Sequence, residues 1–307
     1  MKKVFIDGSV GTTGLRISGR LAKRADIELV SLPEEFRKDP AARKDIINSS
    51  DIVFLCLPDD AARESVSLVE NPDVCIIDTS TAHRTAEGWT YGFPEIGNRK
   101  QEVASSKRVA NPGCHASGFI SLVAPLVELG LLKKDVELTC FSLTGYSGGG
   151  KKMIAQYEDP ARDVLLDAPR QYGLTQKHKH LPEMAAICKI GKDPVFCPIV
   201  APYYSGMQVT VPVFGDMTKA GIEEIAQAFA DYYKGPVVKY VPALDEGGFL
   251  SGGLYSGHDG MAISVFGNDD RILLTSTFDN LGKGASGAAI QNMNIIMGVD
   301  ETTGLEL

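Results

Sequence analysis

The sequence predicts an α/β, Rossmann-type parallel-sheet domain followed by an α+β domain with a mostly antiparallel sheet. Three observations predict it. Short apolar strands alternate with helical patterns at the start of the chain. A glycine-rich turn, Gly8-Ser9-Val10-Gly11-Thr12-Thr13-Gly14, joins the first strand to the first helix. After Cys114 the strands alternate more and carry more Gly, Pro and Tyr. A length of 307 residues fits about two such domains.

Residues 3–7 form a short apolar strand, and the turn after it leads into a helix carrying Leu15, Ile17, Leu21 and Ala22. Residues 27–32 are the second strand. Residues 51–58 are the third, so uniformly apolar that both faces should be buried. A short helix over 60–69 and a strand over 74–78 follow. Pro112 and Gly113 then force a tight turn. Behind it, Phe119, Leu122, Val123, Leu126 and Leu129 share one helical face, with Pro125 as a kink and Gly130 as the stop. Strands are expected over 137–143, 195–201, 205–214, 237–241, 261–267 and 271–277. Helices are expected over 221–233 and, at the tail, 285–297. The tail helix would return to the first domain. The expected division is therefore residues 1–113 plus 285–307, and residues 114–284.

Composition narrows the function. The formal net charge is −8 with no long basic run, which disfavours nucleic acid as a partner. No apolar run approaches the roughly 18 residues a membrane helix needs, and the apolar stretch after Lys3 is too short for a signal peptide. Six cysteines lack CxxC spacing, so no metal site is expected. Cys56, Cys75, Cys140, Cys188 and Cys197 sit among apolar neighbours and read as buried free thiols of a reducing cytoplasm.

Cys114 differs, because turn and polar residues surround it. At a helix N-terminus, unpaired N–H groups and the macrodipole favour a thiolate. A nucleophile and a small buried thiol both remain open on this segment alone. Gly8, Gly11 and Gly14, between strand and helix, suit close backbone approach to a pyrophosphate. The second strand ends without the carboxylate of an NAD site. Ser31 at its tip, with Arg37 nearby, favours NADP over NAD, against the proximity of Glu34 and Glu35. His178 and His180 stand at i and i+2 before Pro182, with Glu183 in the first turn of the next helix. The positive end of that helix favours a neutral imidazole at His180, as a general base requires. A solvated basic patch is the plainer alternative. Gly145 to Lys152 reads either as an anion cradle or as a surface loop, and it does not fit a P-loop.

Taken together these motifs resemble the compact form of the N-acetyl-γ-glutamyl-phosphate reductase family over nearly the whole chain. The resemblance rests on Gly8 to Gly14, Asp78 to Arg84, Tyr91 to Glu95, Ala110 to Cys114, Ser147 to Lys151, His178 to Glu183, Gly284 to Gly287 and Gln291 to Asn294. It implies NADPH-dependent reduction of an acyl phosphate to a semialdehyde in arginine biosynthesis, through a thioester on Cys114. It implies His180 as proton shuttle, with His178 as the alternative. Substrate would be bound by Arg84, Asn111, Ser147, Lys151 and Glu183. NADP(H) would be bound by Gly8, Ser9, Gly11, Thr12, Thr13, Gly14, Ser31, Pro58, Ser80 and Asn292. Asp59 and Ala288 depart from the longer form of the family. The rivals are aspartate-semialdehyde dehydrogenase, a carrier-linked aminoadipyl phosphate reductase, and a dinucleotide-binding sensor without turnover. A homo-oligomer, dimer or tetramer, is expected from the second sheet.

Overall fold

The computed structural model describes residues 1–133 and 135–307. In chain order the elements are β1 (Lys2–Asp7), α1 (Thr12–Leu21), β2 (Ile27–Val30), α2 (Pro40–Ser49), β3 (Ile52–Leu55), α3 (Asp59–Ser67), β4 (Cys75–Asp78), β5 (Thr90–Tyr91), α4 (Arg99–Ser105) and β6 (Arg108–Ala110). Next come α5 (Cys114–Glu128), β7 (Thr139–Gly145), α6 (Gly150–Glu158), β8 (Arg170–Gln171), α7 (Leu181–Cys188), β9 (Val195–Ala201) and β10 (Met207–Phe214). The chain ends with α8 (Ile222–Tyr232), β11 (Val238–Tyr240), β12 (Met261–Asn268), β13 (Arg271–Phe278) and α9 (Gly287–Met297).

Two compact units result. The first comprises residues 1–94, 98–112 and 285–305. Its six strands are all parallel, in the order β2-β1-β3-β4-β6-β5. Ile17 and Leu21 of α1, Val103 of α4 and Met293 of α9 pack into the core on one side. Ile47 of α2 and Ala62 of α3 join the other. Both faces of β3 and β4 are thus covered, which is why those strands are apolar throughout. The strand order reverses at β1, with β2 on one side and β3 on the other. The glycine turn leaves β1 at this switch point, where doubly wound sheets bind ligands.

The second unit comprises residues 95–97, 113–284 and 306–307. Its seven-stranded sheet has the order β11-β12-β13-β10-β7-β9-β8. Four neighbouring pairs are antiparallel, and β7·β9 and β11·β12 are parallel. Helix α5 lies on this sheet at Gly118, where a Cβ would fall 2.3 Å from Val209 Cγ2. Only glycine permits that approach. On the opposite face Phe141 is aligned with Thr210 and Cys197, and Pro212 with Leu273. Phe141 and Leu273 are 45% and 41% exposed, which leaves an apolar sheet face uncovered in a single chain.

Some elements differ from the sequence reading. Helix α5 begins at Cys114 with Gly113 as its N-cap, as the turn before it leads one to expect, and Pro125 is accommodated within it. Helix α2 was not expected. Its signals are local: Asp39 accepts the Ala42 N–H at 2.9 Å, and Pro40 opens the helix. Residues 145–152 are not an open loop but a 3₁₀ turn (Tyr146–Gly149) running into α6. Of the five thiols read as buried, Cys75, Cys140 and Cys188 are, while Cys56 and Cys197 are half-buried.

Candidate active site

In the first unit the three glycines divide their work. Gly8 has φ +88°, and a Cβ there would lie 2.3 Å from the Cys56 carbonyl oxygen. A Cβ on Gly14 would lie 2.4 Å from the Gly8 carbonyl oxygen. Both are required by the backbone itself. Gly11 caps α1 and has room for a Cβ, its nearest neighbour being 3.5 Å away. Thr12 and Thr13 then begin α1, so their N–H groups are among those the helix leaves unpaired. Beside this turn lies a cavity of about 730 Å³ lined by Gly8, Ser9, Ser31, Arg37 and Lys38, with Glu34 and Glu35 also on its wall. Its size and lining fit a dinucleotide.

Further along the same unit, Ser80 donates its hydroxyl to Asp78 at 2.8 Å, and Pro58 caps α3. Asp59 accepts the backbone N–H and the hydroxyl of Thr81, which ties the 79–84 segment to α3. Asn111 accepts from Asn292 Nδ2 at 3.2 Å and donates to the Ala285 carbonyl at 3.1 Å. Asn292 is fully buried, and its Oδ1 has no hydrogen-bond partner among the described residues. A buried amide oxygen awaiting a donor suits the carboxamide of a nicotinamide. Arg84 donates to the carbonyls of Asn111 and Thr79 at 3.0 and 3.2 Å, so it braces the turn before Cys114.

In the second unit Cys114 is the first residue of α5 and is half-buried. Gly284 backs it: a Cβ there would come within 2.9 Å of Cys114 Cβ. That glycine belongs to a π-helical turn (Gly282–Ser286) anchored by Lys283, whose buried ammonium donates to both Glu95 oxygens at 2.8 and 2.7 Å. Glu183 on α7 is 1% exposed and accepts the Gly113 N–H at 3.1 Å. Its other oxygen lies 4.0 Å from His180 Nε2. His180 is the N-cap residue of α7. Its backbone N–H donates to His178 Nδ1 at 3.2 Å, which puts the proton of a neutral His178 on Nε2. The two rings meet edge to face, with centroids 4.7 Å apart. Glu183 thus joins the cap of the helix that Cys114 begins to the segment bearing both imidazoles, all within one unit.

The anion-cradle residues lie in the same unit. Ser147 is buried, and its hydroxyl accepts from Asn280 Nδ2 at 3.0 Å. Lys151 stands exposed in the first turn of α6. Burial pushes the Cys56 thiol up to about 12. No cluster of three or more metal-ligating side chains occurs among the described residues.

Sequence reasoning missed His115, Ser142 and Tyr172. His115 lies between Ser142 Oγ and Tyr172 Oη, both 2.6 Å from its ring nitrogens. Burial, reinforced by His178, pushes its pKa down to about 3. His115 follows Cys114 directly and was visible in the motif. Nothing local marks Ser142 or Tyr172, because β7 and the residue after β8 bring them to the site.

Comparison with known proteins places this arrangement. Residues 114–280 match the family model "Semialdehyde dehydrogenase, dimerisation domain", and residues 23–104 match "Semialdehyde dehydrogenase, NAD binding domain". Solved structures agree at the level of the fold. Aspartate semialdehyde dehydrogenase II of Vibrio cholerae, complexed with ASA, superposes with a TM-score of 0.72 at 14% identity, over 97% of this chain and 98% of that one. The aspartate semialdehyde dehydrogenase of Candida albicans, with NADP, gives 0.69 at 15%, over 97% and 99%. The class is therefore that of the semialdehyde dehydrogenases, oxidoreductases with an NAD(P)-binding domain.

Closer relatives refine this. The N-acetyl-gamma-glutamyl-phosphate reductase of Chelativorans sp. is 48% identical over 96% of this chain and 98% of that protein. N-acetyl-gamma-glutamyl-phosphate reductase 2 of Nostoc sp. is 44% identical over 99% of each. The chain belongs to the N-acetyl-γ-glutamyl-phosphate reductase family.

Proposed function

We propose that the chain reduces N-acetyl-γ-glutamyl phosphate to N-acetylglutamate 5-semialdehyde with NADPH, releasing phosphate, as a step of arginine biosynthesis. The observation that carries this reading is Cys114 at the start of α5, a helix whose cap is held by Glu183, the carboxylate that also lies 4.0 Å from His180. Cys114 attacks the acyl carbon, the bond to the phosphate oxygen breaks, and phosphate leaves a thioester on Sγ. His180 takes the thiol proton and later returns a proton as the product forms, with His178 as the alternative. Lys151 and the N-terminus of α6 attract the leaving phosphate, Ser147 and Glu183 line the substrate site of the second unit, and Arg84 and Asn111 of the first unit are read as substrate-binding residues. When bound, the reduced dinucleotide supplies the hydride that converts the thioester to a thiohemiacetal, which collapses to the aldehyde and frees Cys114.

The first unit is read as the NADP-binding domain. Gly8, Ser9, Gly11, Thr12, Thr13 and Gly14 face the pyrophosphate, and Pro58, Ser80 and Asn292 face the nicotinamide half. Ser31, Arg37 and Lys38 favour the 2′-phosphate of NADP. The second unit is read as the catalytic and oligomerisation domain, and the exposed Phe141–Leu273 face fits a second copy of the chain. Free thiols at all six cysteines fit the cytoplasm.

The test runs the reverse reaction with phosphate and NADP, comparing N-acetylglutamate semialdehyde with aspartate semialdehyde. The former should be strongly preferred. Preference for aspartate semialdehyde would replace the substrate. Cys114→Ser should bind NADPH normally and lose turnover, and full activity in that variant would sink the mechanism.

A further inference from the structure

A buried ion pair stands at the end of β1, in the first unit. Asp7, the last residue of that strand, is 6% exposed, and Arg43 of α2 is 7% exposed. Arg43 donates to Asp7 Oδ2 from Nη2 at 3.0 Å and from Nε at 3.3 Å. The same oxygen accepts the hydroxyl of Ser65, on α3, at 2.7 Å. Arg43 Nη1 also donates to Glu64 at 2.9 Å, but the Glu64 side chain is exposed and water screens its charge. A buried pair of this kind adds little stability over apolar side chains of similar volume. Its place in the fold gives it another use.

Asp7 directly precedes Gly8 and lines the same cavity as Ser31. Strands β1 and β2 are parallel, with Phe5 aligned to Val30, so Asp7 and Ser31 stand at adjacent strand ends. The charged residues on the cavity wall are Asp7, Glu34, Glu35, Arg37 and Lys38, three carboxylates against two cations. Arg43 is not on that wall, yet it brings the balance level. Glu34, Glu35, Arg37 and Lys38 are exposed and screened by water, whereas Asp7 is buried. Without Arg43 the Asp7 charge would act on the cavity with little screening and repel a phosphate there.

We propose that Arg43 is a positioning residue that holds Asp7 and cancels its charge, so that this pair sets how well the cavity accepts the 2′-phosphate by which NADPH differs from NADH. The proposal rests on the reading of the cavity as the dinucleotide site.

Fluorescence titration with NADPH and with NADH gives a dissociation constant for each, and no substrate is needed. The two cofactors differ only in the 2′-phosphate, so general damage to the fold cancels in the ratio of the constants. Arg43→Gln bares Asp7 and should lower the preference for NADPH about threefold or more. Asp7→Asn leaves the Arg43 charge in place and should raise the preference by a similar factor. The double variant should return close to the wild type, because the two substitutions act on one pair. A pair that only held the fold together would weaken both cofactors alike. An unchanged ratio, or shifts of the same sign in the two single variants, would overturn the proposal. Should Arg43→Gln fail to fold, Asp7→Asn decides alone, and an unchanged or lowered preference overturns it. A wild-type chain that binds NADH at least as tightly as NADPH overturns the NADP reading instead, a result obtained before any variant is made.

Discussion

Glu183 Oε2 lies 3.1 Å from the backbone nitrogen of Gly113, so a carboxylate on α7 receives the N–H at the cap of the helix that begins with Cys114. The bond is buried and ties the histidine-bearing segment to the start of the Cys114 helix. Glu183→Ala should cost about 1–3 kcal/mol of stability by leaving that N–H unsatisfied. It should also lower kcat more than it weakens NADPH binding. Glu183→Gln keeps an acceptor oxygen and should lose less of both. Urea unfolding and steady-state kinetics check the pair, and equal losses in the two variants would assign Glu183 a charge role instead.

His115 makes stability sensitive to acid. In the unfolded chain its imidazole titrates near 6.5, and in the fold its pKa is about 3. The unfolded state therefore binds more protons between those values, and the stabilisation present above 6.5 is lost as pH falls toward 3. Between pH 7 and pH 5 this one group should cost about 2 kcal/mol. Urea midpoints for His115→Asn should show a smaller drop over the same interval than the wild type. Parallel pH dependence in the two proteins would contradict this.

The glycine turn offers a separation of folding from binding. Gly14→Ala sets a methyl 2.4 Å from the Gly8 carbonyl oxygen and should destabilise the first unit. Gly11→Ala meets nothing closer than 3.5 Å and should melt like the wild type while binding NADPH more weakly. Differential scanning fluorimetry with and without NADPH reads both effects.

Arg37 and Lys38 line the cavity beside Ser31. Removing a charge-assisted contact to a ribose phosphate should raise the KM for NADPH about tenfold or more. Arg37→Ala and Lys38→Ala should do so while leaving the NADH value unchanged. Equal weakening of both cofactors would move these residues away from the 2′-phosphate.

Phe141 stands in the uncovered row of the second sheet, with Thr210 and Cys197 beside it. Phe141→Glu places a charge where a second copy would dock and should shift the sedimentation coefficient to that of a monomer. Unchanged sedimentation of this variant would place the oligomer contact elsewhere.

Much of this molecule was legible in one dimension. The glycine turn between β1 and α1, the doubly apolar strands β3 and β4, and the tail helix α9 all carry local patterns. Cys114 was legible because Pro112 and Gly113 enforce a turn whatever surrounds them. The departures came where signals are short or nonlocal. Helix α2 rests on a single cap at Asp39, and α6 begins at a glycine that read as loop. The contact that Glu183 makes with the cap of α5 was not legible either. The burial of Glu183 and its bond to Gly113 depend on α7 packing against α5, which no spacing within either segment encodes.

The sequence by itself determined the fold class and the placement of Cys114 at the start of one helix and of the two histidines just before another, because periodicity, turn chemistry and helix ends act over a few residues. Only the tertiary structure decided what each side chain touches. It showed that Arg84 braces backbone carbonyls, that Asn292 holds a buried oxygen unmatched among the described residues, and that His115 links Ser142 to Tyr172. Other such relations join residues far apart in the chain, as Asn111 and Asn292 are, 181 positions from one another. Close packing of sheets and helices brings such residues together, and a hydrogen bond is decided by distances of a few tenths of an ångström that local sequence does not specify.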